Sequence, residues 1–471
     1  MKKSKRKHPL YNIILAVLFI ALTAFVTACG EDEVVVEGAI SVPDDFSTIQ
    51  EAIDAAEDGD VILVRPGTYN ESINFNGKNI TIRSVDPDDP EVVTGTIIDG
   101  NGVDSVVTFE SGENENAVIT GFTITGGSGN MEVLEFEIEG EMQQIPSFYG
   151  GGVIVLNGGS PTISKNIITN NVAERGGGVL IYGSSPVITG NRIHDNISTG
   201  GGGGIFLAYA SATITDNEIT SNSAGRSGGA VAISGEGDAH TIFEGNSITD
   251  NRAENGGAFS IFEASPDINN NSVINNSATQ VGGGFYMIMS SPTLIGNDIS
   301  DNQAGPSGGG VAIYFESSPL LQDNLIIGNN ATAGGGISIF INSSPVLEGN
   351  TISDNRASIG GGVVINESSN PEFSNNEISE NFVERSGAGV YIQASNPVFN
   401  GNIFRNNEAR RNGGGLLALL DAVVTLSSNT FDSNRASEGG AVHLSEGATL
   451  QIGDPDDNTY QGNIPGDIHQ E

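Results

Sequence analysis

Residues 176–201 read GGGVLIYGSSPVITGNRIHDNISTGG, and the same pattern starts again at Gly202. Three short apolar segments, Val179-Leu180-Ile181, Val187-Ile188 and Arg192-Ile193-His194, are separated by Gly, Ser-Pro and Asn. No 3.6-residue stripe survives ten residues without one of those breakers, so helix is excluded. Strands this short cannot bury a face alone, but stacked copies can. The unit recurs: glycine clusters end at Gly152, Gly178, Gly204, Gly229, Gly257, Gly284, Gly310, Gly336, Gly362, Gly389, Gly415 and Gly440, mostly 26 residues apart. Two asparagines recur in each of eleven units, from Asn166/Asn171 to Asn429/Asn434.

The economical arrangement is all-β: a right-handed parallel β-helix of about fifteen coils, each of three short strands. At about 4.8 Å per coil the stack spans roughly 70 Å. Asparagine suits the bends because it tolerates the left-handed region and its amide can bond its copy in the next coil. Glycine supplies positive φ or close backbone approach at the third corner. Thr48 to Ala56 is expected to be a helix capped by Ser47, plugging the N-terminal end of the stack. The resulting organisation is a leader (1–28), an acidic tether (29–39), and a cap with irregular first coils (40–150). That last segment carries an inserted arm (128–149) centred on Met131 to Phe148. Regular repeats (151–460) and a short tail (461–471) follow.

Composition narrows the partners. The 471 residues hold 65 Gly, 19 Lys+Arg and 58 Asp+Glu, for a net charge of −39. Such a chain repels nucleic acid and anionic bilayers, so no nucleic-acid partner is expected. Residues 1–8 are basic and Ile13 to Val26 are apolar, as in a secretory signal. The sole cysteine leaves no disulfide framework or cysteine metal site.

Val26-Thr27-Ala28-Cys29 resembles the lipobox of bacterial lipoproteins. That resemblance implies lipidation of Cys29, export, and anchoring at the outer membrane or cell surface, with membrane contact through Cys29 only. Thr48 to Phe75, TIQEAIDAAEDGDVILVRPGTYNESINF, resembles the opening of pectin-lyase-like β-helix proteins, including pectin methylesterases. The esterase motifs QAVAL, QDTL and DFIFG are absent, so the resemblance implies the fold and not that activity. Phe431-Asp432-Ser433-Asn434 and Gly439-Gly440-Ala441-Val442 resemble motifs of chlamydial polymorphic outer-membrane adhesins.

In the strand after each glycine cluster one alternating set is uniformly apolar (Val179/Ile181, Ile205/Leu207) and must face inward. The other set, expected on the surface, holds Leu180, Tyr182, Phe206, Phe262, Tyr286, Ile288, Tyr314, Phe340 and Tyr391. An apolar stripe on one flank marks an interface. In pectin-lyase-like proteins the polysaccharide lies on the outer face of one sheet. Three roles remain open for the stripe: binding a glycan or other ligand, binding a protein or second copy, or lying beneath the arm.

Catalysis has weaker support. Asp421 and Glu446 occupy similar strand ends of adjacent coils with His443 nearby, compatible with a retaining carboxylate pair. Lys165, Arg175, Arg226, Arg385, Arg410 and Arg411 read as surface charge balance. His194, His240 and His443 are too far apart for a ligand set, so no metal site is expected. No cofactor is expected; Ca2+ is the one ion that the row Asp195, Asp250, Asp301, Asp354 and Glu380 could attract diffusely. The leading expectation is an exported, lipid-anchored, adhesin-like protein that binds glycan or an envelope or extracellular partner through the stripe. The alternative is a polysaccharide lyase or hydrolase of the pectin-lyase-like fold.

Overall fold

In each unit the middle residue of a three-residue strand turns inward, and copies of that residue stack from turn to turn. Ile188, Ile214, Phe243 and Ile268 form one such column, and Ile193, Ile219, Ile248 and Val273 a second. All are fully buried, in one continuous core with Val179, Ile181, Ile205 and Leu207. The computed structural model describes residues 38–138, 141–235, 239–452 and 457–471, with the hairpin 130–149 as backbone only. Cys29, the leader and most of the tether lie outside the described residues.

The architecture is a right-handed parallel β-helix of about 16 turns. The first sheet has 16 strands, from Ile40–Val42 to Thr449–Ile452. The second has 15, from Gly67–Tyr69 to Thr459–Gln461, and the third 15, from Ile73–Asn74 to Ile468–Gln470. A fourth, narrow ladder was not expected. It follows the second asparagine of many units, as in Val172–Arg175, Ile197–Gly201 and Ser223–Ala224. Its only recurrent inward residue is one alanine (Ala173, Ala224, Ala253, Ala278), too small a signal for a strand to be read from apolar alternation. The arm is a hairpin, Asn130–Ile138 with Glu141–Tyr149, joined to this ladder where Tyr149 pairs with Arg175.

Both asparagine columns point inward as continuous ladders, Asn166 to Asn458 and Asn171 to Asn463. Asn191 donates its backbone N–H (2.9 Å) and its Nδ2 (3.0 Å) to Oδ1 of Asn217. Asn217 repeats both bonds to Asn246 and donates Nδ2 to the Ile188 carbonyl at 2.8 Å. The ladder amides are thereby satisfied by their own copies and by strand carbonyls of the preceding turn. The asparagines do not themselves take the left-handed conformation. The residue before each does: φ is 55° at Asp195, 55° at Asp216 and 57° at Asp250. The corner is turned by a polar residue or a glycine, which frees the asparagine to keep its amide inside.

The glycine cluster divides its labour. Gly282 has φ 70°, whereas a Cβ on Gly283 would lie 2.3 Å from the Gly309 carbonyl of the next turn. At the N-terminal end Ile49–Ala55 is helical, with Ile49, Ala52 and Ile53 buried. Its cap is Thr48, which accepts from the Glu51 N–H at 3.1 Å; Ser47 instead donates its hydroxyl to the Glu51 carboxylate at 2.7 Å. A second short helix, Pro90–Gly95, was not expected and is capped by Asp89.

The ladder makes a direct prediction. Asn302 accepts two bonds from Asn276 and donates Nδ2 to Val273 and Asn329. Asn302→Ala should cost about 3 kcal/mol or more by orphaning buried donors and acceptors. Amide exchange should accelerate in the coils holding Asn276 and Asn329 and stay unchanged in residues 60–125, since each coil contacts only its neighbours. The exposed change Glu348→Ala should leave exchange within experimental scatter.

Candidate functional site

Strands of the third sheet present two outward columns. The one nearer the glycine cluster runs Leu180, Phe206, Ala232, Ser260, Tyr286, Ala312 and Ser338. The second runs Tyr182, Ala208, Ser234, Phe262, Ile288 and Tyr314, with Phe340 following. All nine residues expected on the stripe (Leu180, Tyr182, Phe206, Phe262, Tyr286, Ile288, Tyr314, Phe340 and Tyr391) lie outside the central core. Their exposure is uneven. Leu180 and Phe206 are only 4% and 9% exposed, in a separate apolar cluster with Ile154, Leu156, Ala208 and Ala232. The cause is the glycine corner, which leans over the first column. A Cβ on Gly176 would sit 3.0 Å from Leu180 Cβ, and one on Gly282 2.9 Å from Tyr286 Cβ.

Tyr182 and Phe262 remain exposed, and the band continues into residues that sequence reasoning missed. Tyr209, Met289, Phe315 and Leu420 occupy the position just past their strands and Ile341 lies two past its own, at φ 52°, 47°, 51°, 49° and 58° respectively. Bulky side chains there are strained, and a turn position ordinarily holds Gly, Asn or Asp. The apolar residue at a turn site was the available signal, hidden because a bulky side chain there runs against ordinary turn preference. The rings touch one another in two groups. Tyr182 meets Tyr209 edge-on at 5.8 Å, and Tyr314 contacts Tyr286 at 5.9 Å and Phe340 at 5.0 Å.

Between the narrow ladder and the third sheet lies a groove of about 900 Å³. One wall is built from Val172 to Arg175, Thr199 to Gly201, Arg226 and Ser227. The other holds Phe206, Tyr209, Ala232, Ser234, Ser260, Phe262 and Glu263. The Arg175 guanidinium covers the Phe206 ring at 5.3 Å. Arg175 and Arg226, read from sequence as charge balance, both reach this groove, with Glu174 and Glu263 beside them. The arm pairs with the ridge at Arg175, extending that wall rather than adding a strand to the third sheet. Burial raises the phenol pKa of Tyr286 and Tyr391. Tyr314 is pushed up to about 12, chiefly by burial, with the Ser307 and Ser338 hydroxyls easing the shift.

The register offsets the weak catalytic candidates Asp421 and Glu446 by one residue. Ala418 pairs with Leu444, which carries Asp421 to the level of Gly447 and leaves Glu446 over Leu420. The Asp421 carboxylate accordingly lies against Gly447. His443 is 1% exposed and stacks on His469, with centroids 4.9 Å apart. Burial, then the neighbouring His469, lowers its pKa. Lys165 pairs with Asp88 at 2.5 Å. His194 and His240 pair separately with Asp195 and Asp267. Among the described residues one group of potential metal donors does converge, Glu438, His443 and His469. It escaped notice because His469 falls in the segment read as a tail.

The sequence matches the family described as "Right handed beta helix region" over residues 69–247, 197–344, 229–396 and 290–456. No curated protein matches the chain. Among solved structures, the chain is similar to the catalytic unit of a thermostable GH87 alpha-1,3-glucanase from Streptomyces thermodiastaticus strain HF3-3. The TM-score is 0.44 and the identity 16%, covering 92% of this chain and 70% of that one.

Tyr314 gives a pH test. Its folded pKa of about 12 exceeds the ordinary value of 10.0, so the unfolded chain loses this proton first. Its contribution to stability should be full below about pH 10 and be lost as pH rises through about 12. In Tyr314→Phe, denaturant midpoints measured between those limits should fall less steeply than in the parent.

Proposed function

The chain belongs to the right-handed β-helix family, and on that frame we propose that it binds a glycan along the aromatic band and its groove. The observation that carries this reading is the exposed series Tyr182, Tyr209, Phe262 and Phe315 on one flank, of which Tyr209 and Phe262 line a groove with polar and charged walls. Rings and sugar faces suit one another because both present flat apolar surface with polar edges. The groove volume lies in the range of small-ligand sites, and its Arg and Glu side chains can orient hydroxyl groups. The net charge of −39 opposes a polyanion, and the two arginines are matched by two glutamates, so a neutral glycan is favoured.

The tolerance of bulky residues at positive φ supports the same reading. Those side chains gain little burial in the free protein, so their conformational cost is recovered only against a partner. We propose further that Cys29 is lipidated and holds the exported chain at the outer membrane or cell surface. Incorporation of labelled palmitate, abolished in Cys29→Ala, is the expected result.

For the groove, a panel of neutral and acidic polysaccharides should show binding to a neutral member. Tyr209→Ala and Phe262→Ala, both at exposed sites, should each weaken it by about 1–2 kcal/mol without changing thermal stability. Retained affinity in the double variant would remove the band from the account. Release of reducing ends or unsaturated uronates would show a polysaccharide-active enzyme instead.

A further inference from the structure

The third sheet ends, among the described residues, in two strands that pair in register, Val442–Leu444 and Ile468–Gln470. That register sets His443 directly against His469, with rings 4.9 Å apart and 14° from parallel. Carboxylates approach from two sides. Glu438 Oε2 is 3.8 Å from His469 Nε2, and Glu471 Oε1 is 3.6 Å from His443 Nε2. His443 is 1% exposed; its Nε2 also faces Asn412 Nδ2 at 3.3 Å, and its Nδ1 is buried with no hydrogen-bond partner. A buried ring nitrogen left unpartnered in this way is uncommon and costly.

We infer that Glu438, His443 and His469 form a binding site for a divalent cation of the zinc class. One donor atom from each of the three lies within 4.8 Å of the others. Zinc–nitrogen distances of about 2.0–2.1 Å in a tetrahedron require donors about 3.4 Å apart, a closure of up to about 1.4 Å from the present 4.8 Å, together with rotation of the His469 ring out of its stack on His443. The partly exposed Glu438 and His469 side chains can supply it. Two imidazoles with a carboxylate suit Zn2+ or its first-row neighbours, whereas Ca2+ prefers an all-oxygen shell. The ligands come from both strands and from the loop before Gly439, so the ion would staple the strand Ile468–Gln470 to the turn beneath it. Apolar burial alone holds that strand weakly, since its Ile468 is 44% exposed.

The test uses the full chain and Zn2+ as the probe, with calorimetry for affinity and amide exchange for the strand. One equivalent should bind, and exchange at residues 468–470 should slow on addition of Zn2+. His469→Gln and, independently, Glu438→Gln should each weaken binding at least tenfold, while the double change His194→Gln/His240→Gln should leave it intact. Both single variants alter side chains with solvent access, so loss of folding is not the expected cause, and unchanged far-UV circular dichroism would verify that. Absence of Zn2+ binding to the parent, or binding unaffected by both His469→Gln and Glu438→Gln, would overturn the inference. Equal retention of Ca2+ at the same site would do so as well.

Discussion

Every turn of this molecule must bring two bends of backbone into a dry interior, and the asparagine ladders are what make that tolerable. A buried amide with no partner costs more than most side-chain contacts return. Here each Oδ1 takes two donors from the preceding turn and each Nδ2 donates in both directions, so the polar interior is closed except at its ends. The apolar columns of Ile, Leu, Val and Phe supply the larger favourable energy, but that energy does not specify register. The ladders do, since a turn slipped by one residue would place a bare amide against hydrocarbon. Specificity and stability thus come from different residues on the same short strands.

The outer surface follows from the same repeat. Once the asparagines fix the first two corners, the chain closes its turn through a glycine corner that folds back against the third sheet. That corner shelters the first outward column, which is why Leu180 and Phe206 are buried while Tyr182, Tyr209 and Phe262 stay open to solvent. It also raises a ridge beside the sheet, and the ridge creates the groove. Aromatic band and charged wall are therefore consequences of one backbone device. Their chemistry is set by variable residues that the fold itself does not need.

The fold was legible in the sequence because its determinants are repeated in every unit. Central apolar residues, paired asparagines and glycine clusters each have one physical role, and repetition made the pattern plain. What escaped was local or only faintly marked. The narrow ladder hides behind single alanines, and the cap belongs to Thr48 rather than Ser47 because the two hydroxyls are adjacent and both find Glu51. The outward direction of the stripe followed from strand alternation, but its shading by glycine did not, since shelter depends on backbone path rather than composition. Residues such as Tyr209 and Phe315 were passed over because a bulky side chain at positive φ runs against ordinary turn preference. Asp421 and Glu446 looked equivalent in sequence yet differ by one residue in register.

The central claim, one motif per turn with the turns stacked in register, is tested most directly by spin-label distances along one face. In a chain whose single cysteine, Cys29, has been replaced, labels at Arg192 and Leu325 would be separated by five register pairings in the second sheet. Labels at Arg192 and Ile403 would be separated by eight, three more than that. At about 4.8 Å per turn the account requires narrow distributions near 24 Å and near 38 Å. Broad distributions, or two distances that do not scale with the number of motifs between the labels, would contradict it.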